Sequence, residues 1–227
     1  MLLLKFEKLI RRSFYKILYK LRSEGLKEGP RDTNFIYIAN HRTNNDPPFI
    51  GCNIPGKMAF MAKEELFKNK IFAALIRHCG AFPVSRGKGD TQVIDISVER
   101  LNKGKNLIIF PEGTRSKNGK IGKGHVGAAL IAARSGKKIL PVGIVYGDEL
   151  KFRTPVTLKF GKPIDPADFC EICDEPNPRQ LVKLKNYYME ELKKLVYGEE
   201  GEEGFMKRLE EKAANAAKYD EEEKTDD

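Results

Sequence analysis

The stretch Asn34-Phe35-Ile36-Tyr37-Ile38-Ala39-Asn40-His41-Arg42-Thr43-Asn44-Asn45-Asp46-Pro47 decides how this chain is read. Residues Asn34 to Ala39 read as a short strand buried in a sheet. The strand delivers the chain to His41, in a polar loop that ends at Pro47-Pro48. A second unit of the same kind lies downstream, where a strand over Asn106 to Phe110 runs into Pro111-Glu112-Gly113-Thr114-Arg115-Ser116.

Working outward, further strands are predicted over Lys57–Ala62, Ala81–Val84, Lys138–Tyr146 and Val156–Phe160. Helices are predicted over Leu66–His78, stopped at Gly80, and over Asp90–Asn102, with Asp90 as a cap. Two more are predicted over Gly124–Ser135, ended by Gly136, and over Gln180–Val196. Strands alternating with helices imply an α/β fold with a central, largely parallel or mixed sheet flanked by helices. In such sheets the ligand site lies outside the carboxyl ends of the strands, where both polar loops stand.

The N-terminal segment has its own pattern. Leu3, Phe6, Ile10, Phe14, Ile17 and Leu21 recur at helical spacing over residues 2–22, with Lys5, Lys8, Arg12, Lys16 and Lys20 off that stripe. Either the helix packs on the core with its lysines in water, or it lies as a basic amphipathic helix in a membrane interface; the cationic polar face favours the membrane. No run approaches the ~18 apolar residues of a spanning helix. The start lacks the pattern of a cleaved secretory signal, so none is expected.

The net charge of +9 on 227 residues is unevenly spread. Residues 198–227 hold twelve acidic and five basic side chains, a tail of −7 that leaves +16 on residues 1–197. Such a body attracts phosphorylated substrates, anionic lipid or nucleic acid. Three segments are expected: an interfacial helix and loop over 1–30, a catalytic domain over 31–197, and an acidic, unstructured tail over 198–227, at most a solvated helix over Phe205 to Lys218. Cys170-Glu171-Ile172-Cys173 lacks the second ligand pair of a zinc site, so the four cysteines read as reduced thiols and no metal is expected.

The chemistry rests on His41 and Asp46. A neutral imidazole can take a hydroxyl proton, and a carboxylate on its other nitrogen fixes the tautomer and stabilises the cation. Five residues apart on a continuous helix the two would diverge, by ~140°. A turn brings them together, and Pro47 is expected to hold Asp46 out of the helical region. An acceptor hydroxyl, activated by His41, could then attack an acyl thioester without an enzyme nucleophile; no Gly-x-Ser-x-Gly elbow is present. Arg115 is the candidate for the acceptor's phosphate, with Gly113 letting backbone approach closely and Thr114 between them. Glu112 has three open roles: an ion pair with Arg115, orientation of Arg86, or a bond to an acceptor hydroxyl.

Four blocks in order resemble the glycerolipid acyltransferase family, in particular the 1-acylglycerol-3-phosphate acyltransferases. They are the His-x4-Asp block at 41–46, Gly80-Ala81-Phe82-Pro83-Val84-Ser85-Arg86, Phe110 to Ser116, and Ile139-Leu140-Pro141-Val142. The resemblance covers residues 34–146 and implies a phosphate role for Arg86. Ser85 stands where the family often has aspartate. His125 stands where many members have a lysine, so Lys123 is the nearby candidate phosphate contact.

The family implies acyl transfer from acyl-CoA or acyl-carrier protein to the 2-hydroxyl of 1-acylglycerol 3-phosphate, giving phosphatidic acid for phospholipid biosynthesis. It implies no cofactor beyond the acyl donor as co-substrate. It also implies a lysophospholipid acceptor, an anionic membrane surface as partner, and a cytoplasmic, peripheral location on the membrane's inner face. Another lysolipid, or glycerol 3-phosphate, is the alternative acceptor. A non-catalytic lipid- or nucleic-acid-binding protein is the alternative class; loss of His41 or Asp46 would favour it, both are present, and no nucleic-acid partner is expected.

Overall fold

A computed structural model describes residues 13–25, 34–84, 91–147, 150–211 and 214. In chain order the elements are α1 (13–18), β1 (Lys20–Glu24), β2 (Ile36–Ala39), α2 (Asp46–Asn53), β3 (Met58–Lys63), α3 (Lys70–His78), β4 (Ala81–Val84), α4 (Thr91–Asn102), β5 (Asn106–Ile109), α5 (Gly127–Ser135), β6 (Ile139–Val145), β7 (Pro155–Phe160), α6 (Pro178–Tyr197) and α7 (201–211). The seven strands form one sheet in the order β1-β7-β6-β2-β5-β3-β4. Every neighbouring pair is parallel except β6 with β7. The sheet is mixed and largely parallel, as the alternation of elements predicts.

Side-chain alternation splits the core into two layers. On β2, Ile36 and Ile38 face one layer while Tyr37 and Ala39 face the other. Leu107 and Ile109 of β5 join the first, Ile108 the second. Buried residues of α4, α5, α6 and α7 complete the first layer. Phe49 and Ile50 of α2 help complete the second. Helix α6 lies so close to β6 that a Cβ on Gly143 would come within 2.9 Å of the Leu195 side chain. At the other edge Gly80 turns the chain from α3 into β4 at φ +98°, and a side chain there would meet the Met58 carbonyl at 2.2 Å. Both positions are closed to anything larger than glycine.

Several sequence expectations are corrected. The helix expected over 2–22 does not reach residue 22; its part at 2–12 lies outside the described residues. Residues 20–24 are instead strand β1, parallel to β7, with Leu21 buried opposite Val156. The free edge of β7 supplies backbone partners that the local helical period cannot reveal. The predicted stripe is divided: Phe14 and Ile17 are exposed, Leu21 is buried, and it is Tyr15 and Tyr19 that pack edge-on against Phe49, with ring centroids at 5.5 and 5.3 Å. The helix expected from Leu66 begins at Lys70. A 3-10 turn over Glu64–Phe67 precedes it, and the Asn69 side chain caps it by accepting the Phe72 N–H at 3.0 Å. The Asp90 cap lies outside the described residues.

The tail is the largest correction. The fold does not end at residue 197, because residues 201–211 form α7. Gly198 and Gly201, at φ +67° and +68°, turn the chain out of α6. Phe205 and Leu209 then enter the first core layer, where Phe205 meets the Tyr197 ring at 5.2 Å. Two apolar residues four apart are enough to dock a short helix whose other side is acidic, and composition averages hide them. Phe205→Ala or Leu209→Ala is expected to destabilise the domain by about 2–4 kcal/mol, read from the midpoint of urea unfolding. A solvated tail would show no shift.

Candidate active site

The site forms where β2 and β5, adjacent and parallel with Ile36 opposite Leu107, release their loops at the same end of the sheet. Asn40 anchors the first loop. Its side chain accepts the Ile144 N–H at 2.7 Å and donates to the Ile144 carbonyl at 2.9 Å, fastening the end of β2 to β6.

His41 follows, and its Nδ1 lies 2.7 Å from Asp46 Oδ2. Asp46 is wholly buried. The same Oδ2 accepts the N–H groups of Arg42 at 2.6 Å and Thr43 at 2.8 Å, while Oδ1 accepts the Thr43 hydroxyl at 3.0 Å. A carboxylate so surrounded by donors is an acceptor only, so His41 Nδ1 carries a proton and donates it, and Nε2 is left as the basic nitrogen. The His41 side chain is 19% exposed, enough to meet a substrate while its ring stays clamped. One face of the ring stacks on Phe110 at 4.1 Å between centroids.

Pro47 does not keep Asp46 out of a helix, as the sequence suggested. Asp46 is the first residue of α2, with Pro47 and Pro48 in the opening turn, where missing N–H groups cost nothing. The turn that joins His41 to Asp46 ends as the helix begins. The paired side chains therefore never lie on one helix, and the pairing survives.

Of the three roles left open by the sequence, Glu112 does not take the ion pair with Arg115, and orientation of Arg86 lies outside the described residues; both carboxylate oxygens hold backbone N–H groups. Glu112 is buried, with Oε1 accepting the His41 N–H at 3.0 Å and Oε2 accepting the Gly122 N–H at 2.8 Å. Burial raises its pKa, and the two backbone N–H donors oppose that rise. Among the described residues no ion pair joins it to Arg115. The Ser116 N–H also donates to the His41 carbonyl at 2.7 Å. The loop after β5 therefore grips both polar groups of the His41 backbone.

Arg115 is exposed and its Nη1 donates to Asn44 Oδ1 at 3.1 Å, which sets the guanidinium beside the His41 loop. Gly113 and Thr114 are exposed on the same turn; Gly113 has φ +69°, and a side chain there would press on the His125 ring at 3.3 Å. Lys123 is exposed and directly follows Gly122, so Glu112 also holds the strand of loop that presents it. Arg86 lies outside the described residues. Sequence reasoning missed Thr43, Phe110 and Gly122. A threonine inside the His-x4-Asp block was a signal for the first; nothing local pointed to the other two.

Among the described residues no group of three or more His, Cys, Asp or Glu is arranged to hold a metal. Cys170 and Cys173 are free thiols; Cys170 is buried and donates to the Pro166 carbonyl at 3.4 Å. No helix of the described residues is long and apolar enough to cross a membrane.

Known proteins resemble this chain in sequence and fold. The sequence profile of the Acyltransferase family matches residues 20–145. A 1-acyl-sn-glycerol-3-phosphate acyltransferase of Streptococcus pneumoniae is 40% identical over 150 residues, which are 64% of this chain and 55% of that protein. A lyso-ornithine lipid O-acyltransferase of Pseudomonas aeruginosa is 31% identical over 129 residues, 56% of this chain and 48% of that protein. The crystal structure of the 1-acyl-sn-glycerophosphate (LPA) acyltransferase PlsC from Thermotoga maritima superposes with a TM-score of 0.66 at 30% identity, covering 84% of this chain and 78% of that one. The chain spans about half the length of these two curated relatives. With the profile covering both loops and the sheet that carries them, the chain belongs to the acyltransferase family.

Proposed function

We propose that this protein transfers an acyl group from a thioester donor, acyl-CoA or acyl-carrier protein, to the 2-hydroxyl of 1-acylglycerol 3-phosphate, forming phosphatidic acid. The observation that carries the proposal is the 2.7 Å contact between His41 Nδ1 and a buried, fully bonded Asp46. It leaves Nε2 with a lone pair at a partly exposed position. In the reaction, Nε2 takes the proton of the acceptor hydroxyl as its oxygen attacks the thioester carbonyl. The tetrahedral oxyanion collapses, the C–S bond breaks, and the imidazolium returns its proton to the departing thiolate. The acceptor oxygen is the nucleophile and the imidazole moves the proton, so these steps need no metal or prosthetic group.

The phosphate of the acceptor falls to Arg115, supported by Gly113, Thr114, Lys123 and Arg86. A guanidinium beside the base loop fits a phosphate one carbon away from the reacting hydroxyl. The acceptor and product are membrane lipids, so the enzyme works at an anionic membrane surface, peripherally on the cytoplasmic face. A different lysolipid acceptor is the second reading, favoured by the likeness to the lyso-ornithine lipid acyltransferase. Incubating the purified protein with a panel of lysolipids and one labelled acyl-CoA identifies the product. Label in phosphatidic acid alone is the expected outcome; label in an amino-acid lipid with none in phosphatidic acid rejects the first reading.

His41→Ala is expected to lower turnover by about 10²–10⁴-fold with the fold retained, and retention of a tenth of wild-type turnover overturns the base assignment. Arg115→Ala is expected to raise KM for the phosphorylated acceptor well above its effect on KM for the donor, with Lys rescuing only in part; steady-state kinetics with each substrate varied separates the two. Glu112→Gln sets an amide N–H against one of the two backbone donors that Glu112 now accepts. We expect kcat to fall about tenfold or more with acceptor KM nearly unchanged, alongside about 1–3 kcal/mol lost in chemical denaturation. A rise confined to acceptor KM would instead make Glu112 a substrate contact.

A further inference from the structure

Helix α3 reads Lys70-Ile71-Phe72-Ala73-Ala74-Leu75-Ile76-Arg77-His78. At about 100° per residue, Ile71, Ala74 and Leu75 share one stripe, and Ala73 lies on the opposite side. An amphipathic helix on a globular domain turns its apolar stripe to the core. Here the reverse holds. Ala73 is the one buried residue of the helix, whereas Ile71 is 86% and Leu75 58% exposed. Phe72 and, on the 3-10 turn before the helix, Leu66 enlarge the exposed apolar surface.

The border of this patch is cationic. Lys70 and Arg77 run along one side of the stripe, and Lys63 and Lys68 are exposed on the same excursion between β3 and β4, against two glutamates, Glu64 and Glu65. A band of apolar side chains edged by lysine and arginine is the composition of a helix that lies in a lipid interface. Its place in the fold fits that use. Strand β3 runs parallel to β5, so the turn that leaves β3 and the start of α3 stand at the same end of the sheet as the His41 loop.

We infer that α3 and the 3-10 turn before it form a docking surface for an anionic bilayer. Ile71, Leu75, Phe72 and Leu66 enter the boundary between headgroups and acyl chains, and the bordering cations meet lipid phosphates. This deepens the acyl-transfer reading, because the docked end of the sheet is the end that must receive a lipid acceptor. None of its residues belongs to the N-terminal segment.

The chain contains no tryptophan, so Ile71→Trp installs a single fluorescent reporter. With vesicles of phosphatidylcholine and phosphatidylglycerol its emission is expected to shift to the blue and to be quenched by brominated acyl chains, less so at high salt. Val182→Trp, at an exposed position of α6, is expected to stay unchanged. The double variant Ile71→Ser, Leu75→Ser is expected to weaken vesicle partitioning about tenfold or more per side chain, with circular dichroism and thermal unfolding as in the wild type. It should lose turnover of vesicle-embedded acceptor while keeping that of a short-chain soluble one. If the protein is not an acyltransferase, neither acceptor is turned over, yet the vesicle results stand. An unmoved reporter, or undiminished partitioning of the folded double variant, overturns the inference. A blue shift that grows with protein concentration in the absence of lipid assigns the patch to a second copy of the chain and overturns it equally.

Discussion

A buried carboxylate with no partner costs several kcal/mol, and the loop from His41 to Asp46 is shaped by avoiding that cost. Asp46 is wholly buried, and its oxygens collect an imidazole N–H, two backbone N–H groups and a hydroxyl, all from the three residues His41, Arg42 and Thr43. The chain must curl around the carboxylate to bring those donors in. The curl sets the imidazole's tautomer and direction. Any catalytic use of His41 depends on this anion staying desolvated and fully bonded.

A self-contained loop still has to be aimed. Parallel strands make this straightforward, because adjacent strands leave their loops at the same end. Glu112 joins the loop of β2 to that of β5 through the His41 N–H, Ser116 grips the His41 carbonyl, and Phe110 backs the ring. The second oxygen of Glu112 holds Gly122 and with it the loop that carries Lys123. One buried carboxylate orders the base loop and another ties that loop to its neighbours. Groups fixed in this way before substrate arrives would make proximity effective in the proposed acyl transfer.

The surrounding helices divide the labour. Helices α4 to α7 close one layer of the sheet, α2 and the tyrosines of the N-terminal segment close the other, and α3 contributes little to either. Exposed apolar stripes are costly for a protein that stays in water and cost less for one that meets a lipid surface. The asymmetry between a well-buried α6 and an outward-facing α3 accords with the lipid-docking role proposed for α3.

The sequence by itself determined the class of fold and the pairing at the heart of the site. Buried strands such as Ile36–Ala39 and Asn106–Ile109 are short apolar runs ended by polar loops, and that pattern needs no tertiary information. His41 and Asp46 are five residues apart, so their meeting depends only on a local turn. What the tertiary structure decided were contacts between distant segments. Glu112 reaches His41 across 71 positions, a choice that its own neighbours could not distinguish from a bond to Arg115. Residues 20–24 became a strand because β7 offered an edge, although their apolar spacing continues a helical period. Phe205 and Leu209 entered the core from a segment whose charge resembles a disordered tail, because Tyr197 and α6 supply a surface for them. Local periodicity records what a segment can do alone; pairing partners and buried surface from elsewhere decide which of those options is lowest in free energy.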